Sequence, residues 1–208
     1  MKSFFENEKI EVGVDEAGRG CLFGPVFTAG VVWDGTYHPD IRDSKKLSLK
    51  QRNKMKDYII HNAISFSVTM IDNKYIDEHD ILRSTIRGWH DCVSDIHSDI
   101  PVDTILVDGP NFDFFIDSDL ETIDHVCIND GDNTYIPIAA ASILAKTYRD
   151  EYIQKLVDEN PELEKYDLRN NKGYGTKKHR DAIELYGPTK WHRMSFGKLK
   201  KYYKYNSI

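Results

Sequence analysis

The sequence predicts an α/β fold in which an antiparallel meander of strands is followed by parallel strands alternating with helices. Three observations carry this. Residues 9–15, 25–33 and 63–70 each show the short alternating or apolar pattern of a strand, and only a glycine-rich turn separates the first two. Residues 104–107, TILV, form a continuous apolar run after a long helical stretch, as a buried parallel strand does. No internal repeat or low-complexity linker interrupts the 208 residues, so one main sheet is expected.

From the N-terminus, the first strand rises to Asp15 and Glu16, turns through Gly18, Arg19 and Gly20, and returns as PVFTAGVVW. Residues 35–46 read as a loop. Ser48, with Gln51 three positions on, has the form of a capping box, and the helix it starts runs to about His61. After the third strand, residues 72–97 repeat apolar side chains at helical spacing: Ile76, Ile81, Leu82, Ile86, Trp89, Val93 and Ile96. Residues 122–128 read as a further strand. Residues 139–157 open with AAASILAK and form a strong helix, stopped by Asn160-Pro161. NNKGYG is a loop, and residues 176–185 are a short helix capped by Thr176. The division expected is a sheet domain over 1–160 and a basic helical extension over 161–208 that contributes to substrate binding.

Hydrophobic residues make up 40% and charged residues 30%, a balance that excludes a disordered chain. No apolar run reaches membrane-spanning length. The opening MKSFFENEKIE is too charged for a secretory signal. Cys21, Cys92 and Cys127 show no CxxC spacing and predict free thiols in a reducing compartment, the cytoplasm. The net charge of -6 hides an asymmetry. Residues 165–208 hold 12 Lys+Arg against 3 Asp+Glu, leaving 16 against 31 in the rest. That basic end suits a phosphate backbone, although a solvated Lys-rich surface has the same composition.

Four acidic residues stand out by position. Asp15 and Glu16 end the first strand, Asp108 ends the TILV strand, and Asp150 lies on the 139–157 helix. Sites in open α/β sheets gather at the carboxyl ends of parallel strands. An isolated Asp at a strand end is ordinarily a turn residue or a cap. Converging carboxylates repel unless a cation joins them, and all-oxygen ligation favours Mg²⁺ or Mn²⁺. Glu16 can share a side with Asp15 only if the strand has already broken into the Gly18 turn, because neighbours on a strand face opposite ways. Lys146 and Asp150 are four apart and share a helix face, as a surface ion pair or as a phosphate-facing lysine beside a functional carboxylate. Tyr174 lies between glycines, either covering the core or stacking on a sugar or base. His192 precedes Arg193 in the basic segment.

The chain resembles the type 2 ribonucleases H, specifically the ribonuclease HII family. The matching blocks are VDEAGRG at 14–20, GPV at 24–26, DSKKLS at 43–48, VDG at 107–109, AAASILAKTYRD at 139–150, GYGTKKH at 173–179 and GPTKWHRMSF at 187–196. The resemblance implies a ribonuclease H-like mixed sheet flanked by helices, with a C-terminal helical extension. It implies a monomeric, metal-dependent endonuclease that cleaves RNA in RNA–DNA hybrids. It also implies incision 5′ of single ribonucleotides in duplex DNA, leaving 3′-hydroxyl and 5′-phosphate ends. By the same resemblance, Asp15, Glu16, Asp108 and Asp150 hold two Mg²⁺ or Mn²⁺ ions. Gly18, Arg19 and Gly20 sense the RNA–DNA junction, and Tyr174 stacks on a sugar. Lys45, Lys46, Lys146, His192 and Arg193 complete the substrate-binding set.

Another ribonuclease H-like nuclease, or a non-catalytic hybrid-binding protein, are the alternatives. Intact carboxylates oppose the latter, since clustered acids without metal weaken polyanion binding. Cys21 stands where the family usually has proline, and Phe27 and Thr28 replace smaller residues. The relative with an added N-terminal domain, ribonuclease HIII, fits less well, as about eight residues precede the first strand. GKLKKYYKY has a faint likeness to a sliding-clamp peptide but lacks its glutamine, and is expected to be a basic, partly buried helix.

Overall fold

A computed structural model describes residues 1–6, 8–41, 44 and 47–203. Strand β1 (Glu11–Ala17) pairs antiparallel with β2 (Val26–Val32), which pairs antiparallel with β3 (Ser65–Ile71). On its other side β1 runs parallel to β4 (Thr104–Asp108), and β4 parallel to β6 (Thr122–Ile128). The two-residue β5 (Phe115–Ile116) completes the order β3-β2-β1-β4-β6-β5. This is the expected mixed sheet. Only β5 was not foreseen, because two residues are too few to show a period of two.

Helix α1 (Leu49–Asn62) begins on the expected capping box, in which Gln51 N donates to Ser48 Oγ at 3.3 Å and Ser48 N donates to Gln51 Oε1 at 3.0 Å. The stretch 72–97, expected to be mostly helical, is two helices: α2 (Asn73–His79) and α3 (Ile81–Asp99). The break is Asp80, at φ +67°, whose carboxylate accepts from Leu82 N and Arg83 N at 2.8 and 3.0 Å. A side-chain cap thus replaces a backbone turn without any glycine or proline to announce it. Helix α3 lays Ile86, Trp89, Val93 and Ile96 against Val12, Val14, Ile105 and Val107 on one face of the sheet.

Helix α4 (Ile136–Glu159) covers the other face and starts three residues before AAAS. Its alanines 139, 140, 141 and 145 are buried against Ala29 and Val31. A Cβ on Gly13 of β1 would lie 2.4 Å from backbone atoms of Pro137 and Ile138, so only glycine lets α4 come this close. The chain ends in a 3₁₀ turn (Pro161–Tyr166), α5 (Leu168–Asn171), α6 (Lys177–Tyr186), a second 3₁₀ turn (Gly197–Leu199) and α7 (Lys200–Tyr203). Leu163, Tyr166, Leu168, Ile183 and Leu199 pack with Phe23 and with Ile153, Leu156 and Val157 of α4. The C-terminal segment therefore shares a core with the turn that follows β1. Among the described residues no helix is long and apolar enough to cross a membrane.

Candidate metal and nucleic-acid site

The register of two parallel strands builds the centre of the site. Val14 of β1 lies beside Val107 of β4, so Asp15 and Asp108 come next to each other at the strand ends. Both point toward α4, because their parity is that of Gly13 and Leu106. A third carboxylate joins them from a 3₁₀ turn after β6 (Gly131–Asn133): oxygens of Asp15, Asp108 and Asp132 all lie within 4.8 Å of one another. Gly131 N donates to Asp108 Oδ1 at 2.7 Å and fixes the turn against β4. Asp15 and Asp132 are buried. Burial, then the charges of Glu16 and Asp108, push the Asp15 carboxyl well above its ordinary value. Buried oxygens this close, with no nitrogen or sulfur ligand, fit a hard divalent cation, which removes both the repulsion and the desolvation penalty of the ionised form.

Glu16 and Asp150 stand outside this trio. Strand β1 continues to Ala17, the Glu16 carboxylate lies 3.6 Å from Arg19, and its charge acts on Asp15. Asp150, expected as a ligand, lies on α4, where Arg52 Nη2 donates to its Oδ2 at 2.9 Å and Lys146 Nζ to its Oδ1 at 2.7 Å, tying α4 to α1. Each carboxylate oxygen thus has a cationic partner within the chain. Asp132 is the residue that the sequence reading missed. In NDGDN it looks like a turn aspartate, and only the β6-to-α4 geometry brings it to the strand ends.

The turn after β1 is gripped from behind. Gly18 has φ +98°, and a Cβ there would lie 2.1 Å from Arg149 Nε. Arg149 donates to the carbonyls of Phe23, Pro25 and Lys172 at 3.0, 3.1 and 2.8 Å. Arg193 donates from Nε to Gly24 O at 2.8 Å and from Nη1 to Arg19 O at 2.9 Å. Burial, and then Arg149, lower its guanidinium to about 9. Arg193 and His192, expected to touch substrate, are fully buried and stand beneath the loop. Arg19 and Gly20 remain on the outer side, with Arg19 39% exposed.

Tyr174 is 41% exposed, and its ring has Lys146 Nζ at 5.6 Å and Arg149 Cζ at 5.9 Å. Its carbonyl is held by a buried histidine pair whose protons can be placed. Thr189 N–H donates to His192 Nδ1 at 2.9 Å, so the proton of His192 is on Nε2 and points to His179 Nε2, 3.2 Å away. His179 then carries its proton on Nδ1 and donates to Tyr174 O at 2.9 Å. Both rings are neutral. Burial lowers each, and His192 reaches about 3. Beside Gly20, a groove of about 500 Å³ is lined by Leu22, Arg180, Lys198, Lys201 and Tyr202 among others. Lys45 and Lys46 lie outside the described residues.

Comparison with known proteins gives a consistent picture. The sequence model of the family described as Ribonuclease HII matches residues 12–199. A Ribonuclease HII of Cytophaga hutchinsonii is 43% identical over 197 residues, covering 94% of this chain and 93% of the relative. The ribonuclease H2 from Pyrococcus horikoshii OT3 superposes with TM-score 0.70 at 24% identity, over 94% of this chain and 97% of that one. Bst-RNase HIII in complex with Mn²⁺ superposes with TM-score 0.67 at 20% identity, over 96% and 70%. These two show a shared fold.

Proposed function

Since the chain belongs to the ribonuclease HII family and is a type 2 ribonuclease H, we propose that it cleaves RNA in RNA–DNA hybrids and incises 5′ of single ribonucleotides in duplex DNA, leaving 3′-hydroxyl and 5′-phosphate ends. One observation carries the reading: the Asp15–Asp108–Asp132 trio sits three residues from a turn held by buried arginines. A site for a phosphodiester and a site for its sugar thus lie side by side.

Asp15, Asp108 and Asp132, with Glu16 adjoining, would hold Mg²⁺ or Mn²⁺, two ions in the full assembly. A Mn²⁺ complex of a protein of the same fold supports this. Such ions supply the charge that ionises an attacking water and offsets that of the leaving oxygen. The chain itself does the rest. Lys146 and Arg52 fix the orientation of the Asp150 carboxylate. The backbone of Gly18, Arg19 and Gly20 approaches the 2′-hydroxyl, the only local mark of a ribonucleotide. The Tyr174 ring lies flat against the neighbouring sugar, where a deoxyribose fits best. Arg180, Lys198 and Lys201 of the basic C-terminal segment take the phosphates.

Three labelled duplexes test the reading: all-DNA, RNA–DNA hybrid, and DNA with one ribonucleotide, each with Mg²⁺, Mn²⁺ or chelator. The hybrid and the embedded ribonucleotide are expected to be cut, the all-DNA duplex spared, and chelator to stop cleavage. Asp108→Asn is expected to abolish cleavage while binding in Ca²⁺ persists. Equal cutting of all-DNA duplex would make this a nuclease of different preference. No cutting of any duplex would make it a hybrid-binding protein.

A further inference from the structure

The chain after Gly20 is paired on both sides. Leu22 N donates to Gly173 O at 2.9 Å, and Cys21 forms a bridge with Tyr174. On the opposite edge Gly24 N donates to Trp191 O and Arg193 N to Leu22 O, both at 2.9 Å, and Phe23 bridges His192. Residues 21–24 are thus the middle ribbon of a small three-stranded arrangement whose outer ribbons come from the C-terminal segment. The ribbon at 191–193 is itself anchored from outside. Asp77 of α2 accepts from Met194 N, Ser195 N and Ser195 Oγ at 2.8, 2.9 and 2.6 Å, and Asn73 Nδ2 donates to Lys190 O at 3.0 Å.

From this ribbon the Arg193 side chain runs under the turn to Gly24 O and Arg19 O. The second contact fixes more than a carbonyl. The peptide between Arg19 and Gly20 is planar and trans, so its C=O and N–H point in opposite directions. With Arg19 O drawn inward to a buried guanidinium, Gly20 N–H is turned outward. Gly20 is exposed, and no atom outside its chain neighbours lies within 4 Å of where its Cβ would stand, so a sugar can approach the residue.

We propose that Arg193 is a positioning residue for ribose recognition, whose buried guanidinium holds the Arg19–Gly20 peptide so that Gly20 N–H faces the 2′-oxygen of the ribonucleotide to be cut. This rests on the reading of the turn as the part that tests the sugar. Arginine suits the task because its planar fork reaches two carbonyls at once, on the near and far limbs of one loop. Lysine has a single nitrogen at its tip and can serve one of them well. Buried without phosphate contact, Arg193 sets specificity and leaves general affinity to the exposed cations.

The test measures discrimination in binding. Dissociation constants for all-DNA duplex and for the same duplex with one ribonucleotide are measured in Ca²⁺, for wild type, Arg193→Lys and Asp77→Asn. Thermal midpoints and calorimetric Mn²⁺ binding are measured alongside. In Arg193→Lys the preference for the ribonucleotide is expected to fall about tenfold, the worth of one well-placed hydrogen bond. All-DNA affinity and Mn²⁺ binding should stay within about twofold. Asp77→Asn, which loosens the same ribbon from its outer side, should lower the preference by a smaller factor.

An unchanged preference in folded Arg193→Lys would overturn the proposal, and so would a parallel loss on both duplexes, the mark of general destabilisation. If Arg193→Lys does not fold, Asp77→Asn decides by the same two criteria. A wild-type protein that binds both duplexes equally would overturn the underlying reading of the turn, a failure visible before any variant is made.

Discussion

Asp132 adds a third carboxylate to the pair at the strand ends, a set that could enclose a cation. Its side chain is buried, and its oxygens lie within 4.8 Å of those of Asp15 and Asp108. Asp132→Asn is expected to raise the Mn²⁺ concentration for half-maximal cleavage by more than about 100-fold. Asp150→Asn leaves the trio intact and unpairs Arg52 and Lys146, so its cost is expected to be about 10- to 100-fold. Metal titrations of cleavage rate on one substrate check this order. Asp15 and Asp108 were legible in the sequence because each ends an apolar strand. Asp132 was not, because nothing local marks which turn folds back to the strand ends. Asp150 stands out in the sequence by its place on the 139–157 helix, and its spacing from Lys146 brings the two charged groups to 2.7 Å. Burial is likewise invisible locally: His192 and Arg193 sit in a strongly basic stretch, yet both lie in the interior.

At the scale of elements, patterns with a local cause were readable and those with a tertiary cause were not. The Ser48–Gln51 capping box and the Thr176 cap are built within a single turn, and both are where the sequence puts them. The division of α2 from α3 depends on Asp80, which combines a left-handed backbone with a side-chain cap. The two roles can be separated. Asp80→Gly keeps the conformation at little cost in capping and is expected to change stability by a few tenths of a kcal/mol. Asp80→Ala strains the backbone and loses the cap, and is expected to cost about 1–2 kcal/mol. Urea denaturation of both variants checks the difference. The small α4 alanines and Gly13 show the converse case. Their pattern indicates a helix, but only the sheet explains why they are small.

Over the whole molecule the C-terminal segment completes the turn on which specificity is proposed to depend, because Phe23 packs among Ile153, Tyr166, Ile183 and Leu199. A chain ending at residue 160 is therefore expected to lose fixed packing around 18–25, seen as weakened near-ultraviolet circular dichroism. The buried histidine pair links this region to pH. Both rings are held below their ordinary value of 6.5, His192 at about 3. The unfolded chain thus takes up protons first on acidification. The stability involved is present in full above about pH 6.5 and falls as pH drops below it, for His192 by roughly 1.4 kcal/mol per pH unit down to about pH 3. Urea midpoints at pH 7 and pH 5 should differ in wild type, and differ less in His192→Gln.

A cation held by the carboxylate trio, as proposed, would also be a partner in folding. Three acidic groups held together and largely out of water weigh against the native state until a divalent ion arrives, while the unfolded chain has no such enclosure. Ca²⁺, at a hundredfold excess over its dissociation constant, is then expected to stabilise the native state by about 2.7 kcal/mol. That corresponds to a rise of roughly 5–10 °C in melting temperature for a chain of this size. Asp132→Asn should melt higher than wild type in chelator, with one repulsive charge removed, and should gain less from Ca²⁺. Differential scanning calorimetry of the two proteins, with and without the ion, would then show opposite rankings in the two conditions, with no nucleic acid present.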